Sequence, residues 1–176
     1  MHSQLERTLA AINTAVDGMS DAELAQHPAG KWSSAEILEH LSLTYSGTVR
    51  GLSRIMAAGE PKIGADTFKQ KVGRLVVLTL GHMPAGRKAP EFTVPQGAAP
   101  ADVVNTIRQN LRAMDEAITQ CERRFGADHK IGNHPVLGPF NVRQWRRFHW
   151  VHARHHVRQI TGLRAEMRGR AATPRA

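Results

Sequence analysis

Histidines are the residues through which this chain can do chemistry, and four of its ten fall in one segment, Phe148-His149-Trp150-Val151-His152-Ala153-Arg154-His155-His156. His152 and His156 have the i,i+4 spacing that stacks two imidazoles on one helix face, close enough to share an ion. Trp145, Phe148, His152, His156, Gln159 and Leu163 follow steps of three and four, and the apolar ends of that stripe turn it toward a core. Such a pair alone is as readily structural as metal-binding. His40 adds a third imidazole, because Ile37, His40, Thr44, Thr48 and Ile55 lie on or beside an inward stripe of an earlier helix. Three inward histidines on two packed helices satisfy one another best by binding a cation. The expectation is a divalent metal on His40, His152 and His156. The single cysteine, Cys121, allows neither an intrachain disulfide nor a cysteine-cluster zinc site.

The other histidines read differently. His149 and His155 are expected about a third of a turn or more off the stripe, at the surface or flank, where either would serve at most as a partner to a ligand. His82, His129 and His134 fall in loops, where turn and solvent roles are commoner. Glu36 stands one turn before His40, but its capping position already explains it.

The elements that must position these residues are helical. Leu5, Leu9, Ile12 and Val16 predict a first helix over about 3–18. Ser20 with Glu23 caps a short helix, and Ser33 with Glu36, flanked by Trp32 and Ile37, caps a long one reaching about Ala58. Val104, Ile107, Leu111, Met114, Ile118, Cys121 and Phe125 keep a heptad-like rhythm that predicts a helix over about 101–125. Asn141 with Gln144 caps the last helix, through about Met167. Residues 67–80 suggest one more helix, interrupted by Gly73 and β-branched residues. Two long connections, 82–99 and 126–140, are of the kind that carries function. The expected organisation is one helical domain over 1–168 and a small, basic, disordered tail over 169–176.

No apolar run approaches the length of a bilayer span, and residues 1–11 lack the apolar stretch of a signal peptide, so a soluble cytoplasmic protein is expected. The formal net charge is +9, with arginines at 143, 146, 147, 154, 158, 164, 168, 170 and 175. Such charge admits nucleic acid or an anionic small molecule as partner, but arginines recurring along a helix are more simply its solvated face.

The stretch Lys31-Trp32-Ser33-Ser34-Ala35-Glu36-Ile37-Leu38-Glu39-His40-Leu41, followed by His134-Pro135-Val136-Leu137-Gly138-Pro139-Phe140, Trp145 and His152 to Ile160, resembles the DinB-like superfamily, and within it the DUF1569-type branch. The resemblance runs from the first helix to Gly162. It implies an all-α, four-helix bundle of the DinB/YfiT-like type, with an extra short helix and two long loops, often dimeric, and a metal on histidines matching His40, His152 and His156. Relatives are similar to S-transferases and isomerases that use bacillithiol, mycothiol or glutathione, or are described as metal-dependent hydrolases. The superfamily's name suggests DNA damage without demonstrating DNA binding.

Two classes of function follow. In the first, the ion, zinc before nickel or iron, activates a low-molecular-weight thiol toward an electrophile, or water toward a small-molecule substrate. In the second, the metal is structural and the chain is a homodimer that binds nucleic acid or another partner, with Trp150 as a dimer contact. No nucleic-acid reading motif supports the second.

Overall fold

A computed structural model describes residues 1–27, 29–84, 86 and 88–172, with side chains to residue 169. Four long helices form the bundle: α1 (Ser3–Val16), α3 (Ser34–Ala58), α5 (Pro100–Phe125) and α6 (Val142–Ala172). The short α2 (Asp21–Ala25) links α1 to α3. α3 packs along α5, and α1 packs along α6. Their inner faces share one apolar cluster, in which Leu5, Leu38, Leu41, Ile107, Leu111, Met114 and Ile118 are fully buried. Each such side chain contributes about 1.5–3 kcal/mol by leaving water.

Local sequence sets where these helices begin. Ser33 Oγ accepts the Glu36 N–H at 3.2 Å, while the Glu36 carboxylate accepts the Ser33 N–H at 2.7 Å. Ser20 with Glu23 and Thr67 with Gln70 repeat this reciprocal cap, and Asn141 with Gln144 does so at the head of α6. α3 ends at Gly59, whose φ of 85° favours glycine. α6 runs to Ala172, beyond the expected end at Met167, so residues 169–172 of the expected tail are helical; 173–176 lie outside the described residues.

The two long connections are more structured than irregular loops. Residues 130–141 form an antiparallel hairpin, β1 (Lys130–His134) and β2 (Gly138–Asn141), which buries Ile131 and Phe140 against the bundle. The sequence hides it because its strands are short and broken by Gly132 and Pro139, so period-two alternation never develops. The other connection carries a 3₁₀ turn, Glu91–Thr93. Residues 68–79 are helical, as α4 (Phe68–Arg74) followed by a π-helical turn, Leu75–Thr79. Only Val77 of that stretch is buried, whereas Phe68, Val72 and Leu75 are exposed. Gly138 has a φ of 74°, which favours glycine, and a Cβ there would come within 2.8 Å of the Gln70 side-chain oxygen on α4.

On α6 the arginines divide: Arg143, Arg158 and Arg168 are exposed as on a solvated face, whereas Arg146, Arg147, Arg154 and Arg164 join elements together. Arg124 donates to the carbonyls of Met56 and Gly59 at the end of α3, and Arg164 to those of Ala15 and Asp17 at the end of α1. Arg147 reaches the carbonyl of Leu78 within the π turn, and Arg154 that of Gly81 just beyond it. Arg146 is buried and paired with Glu122 at 2.7 Å. Among the nine arginines from position 143 onward, those at 170 and 175 have side chains outside the described residues.

Glu39 is buried on α3, and its carboxylate accepts the N–H groups of Gln96, Gly97 and Ala98 at 3.0–3.1 Å. It clasps the long connection to the bundle. Glu39→Ala is expected to destabilise the chain by about 2 kcal/mol and to open residues 94–99 to protease, because three donors lose a charged acceptor. Urea unfolding with limited proteolysis checks this, and an unchanged midpoint would remove the clasp from the account.

Candidate metal centre

α3 and α6 bring His40, His152 and His156 together as the spacing predicts. All three are buried, at 5%, 8% and 8% exposure. His152 Nε2 lies 3.2 Å from His40 Nε2 and 3.1 Å from His156 Nε2, and the three candidate ligand atoms fall within 4.8 Å of one another. Ring planes meet edge-on, at 77° for His40 with His152 and 81° for His152 with His156, so the rings converge without stacking. Phe148 stacks on His152 at 5.4 Å and Trp32 tilts over His40 at 5.1 Å, fixing both rings from behind.

The far nitrogens decide what the near ones can do. His40 Nδ1 is 2.8 Å from the Thr93 carbonyl, an acceptor only, so the proton sits on Nδ1 and Nε2 carries a bare lone pair. His156 Nδ1 is 2.7 Å from Gln159 Oε1 and takes the same tautomer, with the Gln159 amide nitrogen 3.4 Å from His155 Nε2. Two lone pairs therefore face His152 Nε2, and a single N–H there cannot serve both fully. A cation answers all three. Ligand nitrogens about 2.0–2.1 Å from an ion stand about 3.3 Å apart in a tetrahedral set and about 2.9 Å apart at right angles. Both separations from His152 Nε2 fall between these values and all three donors lie within 4.8 Å of one another, so the donor set fits a divalent ion without selecting its geometry. Among the described residues, His152 Nδ1 has no hydrogen-bond partner.

Burial holds these imidazoles neutral, as metal ligation requires. Desolvation lowers His40 and, with the neighbouring His40, pushes His156 down to about 3; His152 lies well below its ordinary value for the same reasons.

Some expectations need correction. His149 is fully buried, its Nε2 3.2 Å from Thr48 Oγ1 and its pKa pushed down by burial to about 3. At ~100° per residue, position 149 lies about 60° from 152 and only about 20° from 156, inside the buried sector rather than beside it. His134 is not in a solvent loop; it ends β1, half-buried, with its ring 4.4 Å from Phe148 and 5.2 Å from Phe140. His155 stays half-buried, touching His156 and Gln159. His129 stacks on Phe125, and His82 is exposed. Glu36 serves its cap and faces His27 at 3.4 Å. Thr93 was invisible as a positioning group because it acts through its carbonyl. Gln159 had a signal, three residues after His156 on the same stripe.

The three histidines lie at the wall of a cavity of about 1070 Å³ bounded by α3, α4 and its π turn, the Glu91–Thr93 turn, the hairpin and α6. Its lining is largely apolar, with Ile55, Val76, Phe92, Val136 and Leu137 among the contributors.

Comparisons with known proteins agree with the fold. The family described as Protein of unknown function (DUF1569) matches residues 2–162. No curated protein matches. A solved structure described as "YfiT from Bacillus subtilis is a probable metal-dependent hydrolase with an unusual four-helix bundle topology" aligns with a TM-score of 0.57 at 17% identity, over 93% of this chain and 83% of that one. The chain thus has the four-helix bundle fold of that protein.

Because His134, His149 and His156 have folded-state pKa values below the ordinary 6.5, the unfolded chain binds more protons between about 3 and 6.5. Stability of the metal-free chain should therefore be full above that window and fall with acid, with each ring steepening the slope toward about 1.4 kcal/mol per pH unit. Urea midpoints at pH 7, 6 and 5 read this directly, and a flat profile would show that these rings accept protons without cost.

Proposed function

Since this chain belongs to the DUF1569 family, whose description leaves function open, its activity must be argued from its own site, and we propose a metal-dependent enzyme of hydrolase type with the ion on His40, His152 and His156. The observation that carries this reading is the convergence of the three imidazoles, with His152 Nε2 at 3.1–3.2 Å from the Nε2 atoms of His40 and His156, and the protons of those two held on the far side by Thr93 and Gln159. The hydrolase description of the similarly folded YfiT supports it. Zinc is the first candidate, with nickel and iron next, since imidazole suits all three.

When bound, a divalent ion supplies charge that lowers the pKa of a water or thiol at its open position and polarises a substrate oxygen. The chain's own residues set the stage for that chemistry. Thr93 and Gln159 fix two ring orientations, Phe148 holds the third, and the apolar walls limit competing water. A small-molecule substrate enters through the cavity between the π turn and the hairpin.

A second reading, transfer of a low-molecular-weight thiol to an electrophile, draws on two features. Glu36 and Glu39, which flank His40, are both held by backbone N–H groups, and a thiol needs no carboxylate base once an ion lowers its pKa. The cavity volume of about 1070 Å³ also has room for two reactants.

Plasma mass spectrometry of the purified chain should find near-stoichiometric divalent metal, lost in His40→Ala and in His152→Ala; equal metal in wild type and both variants would end the three-histidine assignment. Zinc-loaded protein should hydrolyse members of an ester, amide and lactone panel without added thiol, with His152→Ala inactive. Turnover that appears only when a thiol and an electrophile are supplied together would transfer the assignment to the second reading.

A further inference from the structure

His134 stands apart from the three converging histidines. Its Nδ1 accepts the backbone N–H groups of Val136 and Leu137, at 3.2 and 3.1 Å. Both partners are donors only, so Nδ1 must carry the lone pair and the proton must sit on Nε2. Protonating the ring would set a third N–H against those two, and burial already presses its pKa down to about 4. His134 is therefore a neutral imidazole with a fixed tautomer. Phe140 stacks on it at 5.2 Å and Phe148 meets it edge-on at 4.4 Å, so the ring is held in place.

The position of this ring gives the fixed tautomer a use. His134 lines the cavity, and Phe148 links it to the site, with ring-to-ring steps of 4.4 Å to Phe148 and 5.4 Å onward to His152. No acceptor for Nε2–H occurs among the described residues, and the atom is not among the sealed, partnerless ones. Among the other polar groups on the same walls, Lys69 and Lys88 also line the cavity and the buried Trp145 Nε1–H has no partner among the described residues, whereas the threonines and Asn133 are engaged. Thr44 and Thr48 donate to the carbonyls one turn back on α3, and Asn133 donates to the Lys62 carbonyl. Around them the cavity is lined by Leu52, Ile55, Val76, Phe92, Val136 and Leu137.

We propose that His134 is a substrate-binding residue, whose Nε2–H donates to a neutral acceptor oxygen, of carbonyl type, on a substrate with an apolar body that fills the cavity. This deepens the reading of the cavity as the substrate site and rests on it. It names the substrate class as a largely apolar carbonyl compound. The hydrogen bond orients the substrate, and the reacting bond lies toward His152.

Two variants separate binding from a merely structural role in the turn. In His134→Asn the amide oxygen replaces Nδ1 and keeps the turn, but the cavity donor is lost. In His134→Gln the amide N–H₂ reaches toward the Nε2 position, but the turn acceptor is lost. The probe is 2-octanone, titrated by calorimetry into metal-free and zinc-loaded full-length protein. We expect His134→Asn to bind it about tenfold more weakly and His134→Gln to stay within about threefold of wild type, the loss being that of one hydrogen bond. The opposite order, or equal binding in all three, overturns the proposal. Histidine nitrogen NMR of the wild type at pH 7 gives a second readout independent of any variant's folding: an Nε2–H tautomer with bare Nδ1 is expected, and a proton on Nδ1 would end the argument. Metal content of the same samples distinguishes the two readings. Loss of ketone binding in His134→Asn with metal retained concerns His134 alone, whereas a wild type without metal that still binds the ketone counts only against the metal-dependent enzyme.

Discussion

A neutral imidazole has one proton and two nitrogens, and this site depends on where that proton is kept. If His40 or His156 held it on Nε2, an N–H would occupy the 3.1–3.2 Å gap to His152 and that nitrogen would have no lone pair for a cation. The Thr93 carbonyl and the Gln159 amide oxygen prevent this by accepting from the far nitrogens. Burial reinforces them, since the low-dielectric surroundings disfavour an imidazolium on any of the three rings.

That requirement explains why the connection after α4 is held so firmly. Two consecutive residues of α3 grip it: Glu39 takes three backbone N–H groups beyond the 3₁₀ turn, and His40 donates to a carbonyl within it. A shift in this segment would move the acceptor that sets the His40 tautomer. The cavity wall and the ligand geometry are thus parts of one mechanical unit. His134 repeats the device with reversed polarity, its proton pushed outward by two backbone donors.

How far the sequence revealed this differs from residue to residue. The bundle helices were legible because Leu5, Ile12, Ile107, Leu111 and Met114 recur with helical period and because Ser20, Ser33 and Asn141 announce their helices chemically. His40, His152 and His156 were legible as inward-facing residues by phase alone; that they hold a metal is the reading proposed from their convergence. His149 was misplaced because α6 is buried over a wide sector, so a stripe of one width underestimates what faces inward. The hairpin and the Thr93 carbonyl were illegible for a deeper reason. They depend on contacts between residues far apart in the chain, made by backbone atoms whose chemistry is the same at every position.

The arginine linkages give the net charge of +9 an architectural meaning. Arg124, Arg147, Arg154 and Arg164 bind main-chain oxygens at or just beyond the ends of other elements, where helix dipoles concentrate negative charge. A planar fork suits this task better than an ammonium, because one side chain can engage two carbonyls, as Arg124 and Arg164 do. Part of the chain's basic character is therefore the signature of its cross-bracing. In sequences that share this architecture, arginine at these positions should be read as a joint between helices before it is counted as affinity for a polyanion.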